Sequence, residues 1–276
     1  CIRSKFSSVP VKPSAHWLPL VQRLAAQLRA AGVLARARKG YVCINHDVDW
    51  VECQAAAAQI AETEREYGVY STFNFLTHWN YPLDRQLVLD LEKSGFEIGL
   101  HGAEHDIALA YRSPSAIAAS LRKGLDALPV AVKGFRSPAL SSSEALFAVL
   151  EDLDFVYDSS IATRDLSGGR AGLCFPYRYP GRELWEIPLT LQDSVLFRDL
   201  QLGEEEGLEF TVELMHAVVD LGGVFVFNGH PGILCKHMSF YRDLLDRMVE
   251  FEVLKMDRIV EIWNDRIVDG AGIFER

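Results

Sequence analysis

From residue 41 nearly to the C-terminus, apolar runs of strand length alternate with amphipathic stretches of helical period, and no other feature constrains the fold as much. Strand-like runs at 41–46, 70–76, 96–101, 132–136, 155–158 and 224–229 are separated by helical patterns at 52–67, 83–94, 114–127, 142–153 and 205–221. Such alternation specifies parallel βα units. A strand near 184–190 stands in an otherwise loop-like stretch from Arg164 to Thr190; a helix at 239–250, a short strand near 253–256 and a last helix complete the chain. Seven or eight strands with one helix each predict an α/β chain closed, or nearly closed, into a barrel. At 276 residues and 49% hydrophobic content, the chain is ample for one such core. One more helix is expected over about 14–32, ending at Gly32, so residues 1–39 read as a basic helical segment packed on a barrel domain of 40–276.

Charge and cysteine usage narrow the setting. The net charge of -10 argues against nucleic acid as a partner, since phosphate binding calls for a basic surface. That total conceals an asymmetry: Arg3, Lys5, Lys12, Arg23, Arg29, Arg36, Arg38 and Lys39 precede the first acidic residue, Asp47, leaving 20 bases against 38 acids from Asp47 onward. The basic stretch is either a solvated helix face or a peripheral contact with anionic lipid headgroups. Five cysteines without a C-x-x-C pair indicate neither a disulfide framework nor a zinc ribbon, which fits a reducing compartment. No apolar stretch approaches the roughly 18 residues of a membrane span. The expectation is a cytoplasmic protein, at the membrane surface if the basic segment docks there. A first residue of Cys rather than Met reads as a trimmed terminus in preference to a mature lipoprotein.

In a barrel of parallel strands, chemistry belongs at the C-terminal ends of the strands. "INHDVDW" ends the first with Asp47 and Asp49, which alternation places on one face while His46 and Val48 point the other way. Two carboxylates that close call for a cation between them or a proton on one. "HGAEH" succeeds the third strand and spaces His101 and His105 to suit a single metal ion. With Asp49 they make a two-histidine, one-carboxylate set, which suits zinc and also non-haem iron. Arg136 ends the fourth strand in "GFRSP", Asp158 the fifth in "YDSS", and His230 the seventh in "FNGHPG". Each has an ordinary reading: Asp49 as a helix cap, Arg136 at the surface, Asp158 in a turn, His230 as a satisfied histidine at a turn. Asp47 lies too far inside the apolar run to cap the next helix. His16, His78, His216 and His237 read as structural or exposed.

In order along residues 40–256, these motifs resemble the metal-dependent polysaccharide deacetylases, a family with a distorted (β/α) barrel. The resemblance implies Asp47 as catalytic base in "HDVD", with Asp49, His101 and His105 as ligands of a divalent metal, zinc first among the candidates. It further implies Arg136 beside the base in "RSP", the Ala139 backbone N–H at the oxyanion, His230 of "NGHPG" as general acid, and Asp158 and Trp185 as candidates for the fourth motif, Asp158 raising the pKa of His230. The chain departs from the family pattern in three places. It has D-x-D where adjacent aspartates are usual, Gly102 where Ser or Thr is common, and Ala139 where an aromatic often stands.

The activity that the resemblance implies is hydrolysis, removing an acetyl or formyl group from the nitrogen of an amino sugar. Its expected substrate is an N-acylated sugar or glycan, polymeric or lipid-linked, in surface-polysaccharide, lipopolysaccharide or other cell-envelope biosynthesis. The alternatives are a catalytically silent glycan-binding relative, which would bind without turnover, and a non-haem iron enzyme, whose ligands usually lie on a different, all-β scaffold.

Overall fold

A computed structural model describes residues 40–163 and 173–270, with side chains to 265. The helix expected over 14–32 lies outside the described residues. The strands are β1 (Tyr41–Val48), β2 (Thr72–Leu76), β3 (Glu97–Gly102), β4 (Gly134–Phe135), β5 (Tyr157–Asp158), β6 (Tyr177–Arg178), β7 (Trp185–Glu186), β8 (Leu191–Gln192) and β9 (Val224–Asn228). The helices are α1 (Val51–Glu66), α2 (Arg85–Lys93), α3 (Pro114–Ala127), α4 (Glu144–Asp152), α5 (Glu204–Asp220), α6 (Pro231–Leu234), α7 (Met238–Met248) and α8 (Met256–Gly270).

Local chemistry sets the ends of these elements. The side chains of Asp84, Ser113 and Ser143 accept backbone N–H groups at the starts of α2, α3 and α4, satisfying donors that have no partner inside the helix. Beyond Tyr41, every residue of β1 is buried, as a parallel strand covered on both faces requires.

The strands form one sheet in the order β6-β7-β5-β4-β3-β2-β1-β9-β8. Every pairing is parallel except that of β6 with β7, so the expected parallel barrel is present with one antiparallel strand added. β7 and β8 are two parts of a single extended stretch, and that stretch closes the barrel. Its start bonds to the β5 side, through Trp185 N–H to Val156 O at 3.1 Å and Ile187 N–H to Asp158 O at 2.9 Å; its end bonds to β9, through Thr190 N–H to Val226 O at 3.0 Å. The strand expected at 253–256 is one bridge, Val42 to Val253. β2 takes that edge of β1 from Asn45 onward, which leaves only the first residues of β1 free to pair.

Side-chain alternation divides β1 between two surroundings. Cys43 faces the interior with Trp185, Ile187, Leu189, Val224 and Val226. His46 faces the helices: Nδ1 bonds the Gly229 carbonyl at 2.8 Å and Nε2 the Glu64 carboxylate of α1 at 2.7 Å. Ser71 and Tyr241 also donate to Glu64. This buried network, with its hydrogen bonds filled, fixes α1 and α7 against the strands, and leaving one such buried group without its partner costs about 1–3 kcal/mol.

Candidate active site at the strand ends

Asp49 leaves β1 at the C-terminal mouth of the barrel, and three histidine nitrogens converge on its carboxylate. His101 Nε2 lies 2.9 Å from Oδ1; His105 Nε2 and His230 Nε2 lie 3.7 Å and 3.5 Å from Oδ2. One donor atom from each of Asp49, His101 and His105 falls within 4.8 Å of the others. Nδ1 of His101 is occupied by the Arg136 carbonyl at 2.8 Å, which fixes the ring and leaves Nε2 turned to Asp49. Yet Oδ1 of Asp49 is buried with no hydrogen bond. His101 Nε2 and Asp49 Oδ1 thus lie 2.9 Å apart without a hydrogen bond between them, an arrangement that a cation relieves. Bonds of about 2 Å to zinc at tetrahedral angles put donors roughly 3.3 Å apart, so the set fits a divalent ion.

The field around the trio is uneven. Burial would raise the Asp49 carboxyl, but His101, His230 and His105 hold it well below the usual range. Burial acts to lower His101, but Asp47 and Asp49 prevail and raise it; His105 is lowered by burial and by the neighbouring His101.

Asp47 lies behind this trio, almost completely buried. Asn74 Nδ2 donates to Oδ1 at 3.0 Å and Asn228 Nδ2 to Oδ2 at 2.8 Å, from the strands on either side. Arg136 reaches in from β4, fully buried, with Nη1 3.9 Å from Asp47 Oδ2 and Nη2 donating to Ser159 Oγ at 3.1 Å. Burial favours the neutral acid, but the Arg136 guanidinium, then His101, hold Asp47 below its ordinary value. It is therefore an ionised carboxylate with little solvent around it.

His230 lies just beyond β9 and presents Nε2 to the mouth. Its other nitrogen, Nδ1, is held by Asp193 Oδ1 at 2.6 Å, and Asp193 Oδ2 accepts the His230 backbone N–H at 2.6 Å. Burial opposes a charged ring, yet the buried Asp193 carboxylate raises the imidazole to about 9. Trp50 stacks on His230 with centroids 5.6 Å apart, and half-exposed Trp79 leans on His105 at 6.1 Å. Aromatic surface thus borders the mouth on both sides.

Past Arg136 the chain makes a tight turn in which Ala139 (φ 54°) and Leu140 (φ 56°) are left-handed, with Ala139 exposed. Strained non-glycine residues of this kind persist where surrounding structure holds them, and they gather at functional sites. The turn sits against Gly102: a Cβ there would lie 3.7 Å from Pro138, and φ is +114°. That conformation favours glycine, which gives a physical reason for Gly102 after the ligand His101.

Two expected site residues lie elsewhere. Asp158 does not meet His230. Tyr157 and Ser159 point inward, to Glu97 and Arg136, so Asp158 between them faces outward and bonds Ser160 and Tyr179. Asp193 is the carboxylate on His230. Trp185 is 2% exposed in the core, its indole N–H bonded to Asn264 at 3.1 Å, and offers no surface to a ligand. Sequence reasoning misses Asp193, although it too is a carboxylate at the end of a strand, and misses Asn74 and Asn228, each a polar residue in an apolar run.

Comparison with known proteins bears on the family and the fold. Residues 44–244 match the sequence profile of a family described as WbmS-like polysaccharide deacetylase. No curated protein sequence matches the chain. Among solved structures, a protein from Mycobacterium smegmatis described as a polysaccharide deacetylase superposes with a TM-score of 0.70 at 19% identity, over 84% of this chain and 93% of that one. The chitin deacetylase of the fungal pathogen Colletotrichum lindemuthianum gives 0.57 at 13% identity, over 81% and 88%. A Bordetella bronchiseptica protein described as involved in O-antigen biosynthesis gives 0.50 at 17% identity, over 70% and 72%. At these identities the structures speak for the fold.

Proposed function

Because the chain belongs to the WbmS-like polysaccharide deacetylase family, we propose that it is a metal-dependent hydrolase that removes an N-acyl group, acetyl or formyl, from an amino sugar. The observation that carries this reading is the convergence of Asp49, His101 and His105 around an unsatisfied carboxylate oxygen, with ionised Asp47 and a carboxylate-held His230 at the same mouth.

In this reading Asp49, His101 and His105 hold the ion, zinc by the chemistry of the donor set. A bound divalent ion supplies Lewis acidity and lowers the pKa of water from 15.7 to about 7. Asp47, kept ionised by Arg136 and aimed by Asn74 and Asn228, accepts the proton that water loses as its oxygen bonds the acyl carbon. By the family resemblance, the Ala139 N–H would donate to the oxyanion that develops on the carbonyl. His230, with Nδ1 tied to Asp193, gives the proton on Nε2 to the nitrogen as the C–N bond breaks. The products are a short carboxylic acid and a free amine on the sugar. Trp50 and Trp79 offer the flat apolar surface that sugar rings stack on.

The likeness to a protein of O-antigen biosynthesis supports a surface-polysaccharide precursor as substrate, polymeric or lipid-linked. The eight cations before Asp47 would then draw the enzyme to anionic lipid. Released acid should be measured over a panel of N-acetyl and N-formyl sugar nucleotides, lipid-linked sugars and chitooligosaccharides, with and without chelator. Chelator-sensitive release from at least one member is expected; glycan binding with no release from any would identify a silent relative. Co-sedimentation with anionic liposomes that weakens at high salt is expected of the basic segment, and equal affinity for neutral liposomes would remove its proposed role.

A further inference from the structure

Asp158 and Glu186 are register partners on the parallel strands β5 and β7, and both are completely buried. Each is partly satisfied: Ser160 Oγ donates to Asp158 Oδ1, and Ile161 N–H to Glu186 Oε1 at 2.9 Å. The Tyr179 hydroxyl sits between them, 2.6 Å from Glu186 Oε2 and 3.3 Å from Asp158 Oδ2, with a single proton to give. Arg136 from β4 acts on both carboxyls, but its guanidinium lies on the inner face with Ser159 and Asp47. Among the described residues, the other groups packed on the pair are the phenols of Tyr177 and Tyr179; α4 contributes Phe147, stacked on Tyr179 at 3.8 Å, while its Glu151 is turned to Arg182. Among the described residues no cation lies on the pair's own face, and two ionised carboxylates side by side in this setting would repel.

We propose that Asp158 and Glu186 share one proton, and that the hydrogen bond it makes clamps the barrel-closing stretch to the strand supporting the Arg136 turn. The clamp extends to the turn because the hydroxyl of Ser160 that bonds Asp158 also accepts the Ser137 N–H at 2.8 Å. Both residues are thereby positioning residues, a role that rests on the reading of Arg136 as the partner of Asp47. Electrostatics agree: burial pushes Asp158 up to about 6 and Glu186 well above its ordinary value. A carboxyl whose folded pKa is raised contributes stability that is present at low pH and lost as pH rises through that pKa.

The test is infrared spectroscopy of the protonated carboxyl band at neutral pH, as a wild-type minus Glu186→Gln difference. The difference separates the pair from Glu97, which burial also pushes up to about 7. A band present in wild type and lost in Glu186→Gln is expected. Gln keeps an N–H to share with Asp158, so its turnover should stay close to wild type, whereas Glu186→Ala, which has none, should lose on the order of 10-fold. Thermal stability should fall with rising pH in wild type and vary less in Glu186→Gln. A difference spectrum without the band overturns the shared proton, and equal turnover loss in the Gln and Ala variants overturns the positioning role. If Glu186→Gln fails to fold, a wild-type spectrum with no protonated carboxyl at neutral pH overturns the proposal by itself. Should wild type release no acid, the deacylase reading falls while the infrared result still decides the proton.

Discussion

His46 and His230 meet at Gly229, and each is paired with a completely buried carboxylate, yet their chemistry differs. His46 bonds the Gly229 carbonyl through Nδ1 and Glu64 through Nε2. Both ring nitrogens of His46 are thus held inside the fold, and Glu64 is filled by Ser71 and Tyr241 as well. His230 spends Nδ1 on Asp193 and keeps Nε2 at the mouth, 3.5 Å from Asp49. Pairing with a carboxylate therefore does not mark a catalytic histidine. A nitrogen left facing the site does, and the two positions can be set against each other by mutation.

The largest effect belongs to neither histidine but to the trio beside them. His101→Ala should abolish detectable turnover together with metal content by elemental analysis, and near-stoichiometric metal in that variant would contradict its place as a ligand. Next is His230→Ala. If it is the acid, kcat for an amide falls about 10²–10⁴-fold with metal retained and KM little changed. An activated aryl ester, whose leaving group needs no proton, should lose less; equal losses on amide and ester would make His230 a ligand or packing residue.

Asp193→Asn should come third, at about 10–100-fold in kcat, because it removes the group that orients the ring and holds its proton. The pH dependence has a definite sign. His230 must be protonated to act, and Asp193 raises it from an ordinary 6.5 to about 9, so the alkaline limb of kcat should move to lower pH in Asp193→Asn. A limb that stays in place would show that another group titrates there. The smallest effect on catalysis is expected at His46. His46→Gln should unfold at lower denaturant concentration, by about 1–3 kcal/mol, because it leaves buried hydrogen-bond partners of the ring unsatisfied. Folded protein should keep its metal and its kcat. A large loss of kcat without loss of stability would reverse the comparison.

Much of this arrangement is legible in the sequence, for reasons that also mark where legibility ends. Helical and strand periods locate α1, α3 and α5 to within a residue or so, and the D-x-D spacing places Asp47 inward and His46 outward, because β1 is long and regular. The fifth and sixth runs are not. β5 has two residues, so its face is set by Tyr157 reaching Glu97 across the interior and not by any pattern of its own. Asp158 therefore reads as a site residue although it points outward. Asp193 is hidden because the extended stretch near 184–190 continues through β8 to Gln192, and only the closed barrel carries Asp193 to His230. Trp185 reads as a candidate for the fourth motif. Placed in that same stretch, it alternates inward with Ile187 and Leu189.

The central claim is that the chemistry runs through a divalent ion held by Asp49, His101 and His105. Its most direct test is the acid released from an N-acyl amino-sugar substrate by metal-stripped protein, before and after one equivalent of zinc. We expect no release before the addition and restored turnover after it, with Asp49→Ala unresponsive to zinc. Turnover that survives complete removal of metal, or that zinc restores equally in Asp49→Ala, would contradict the account.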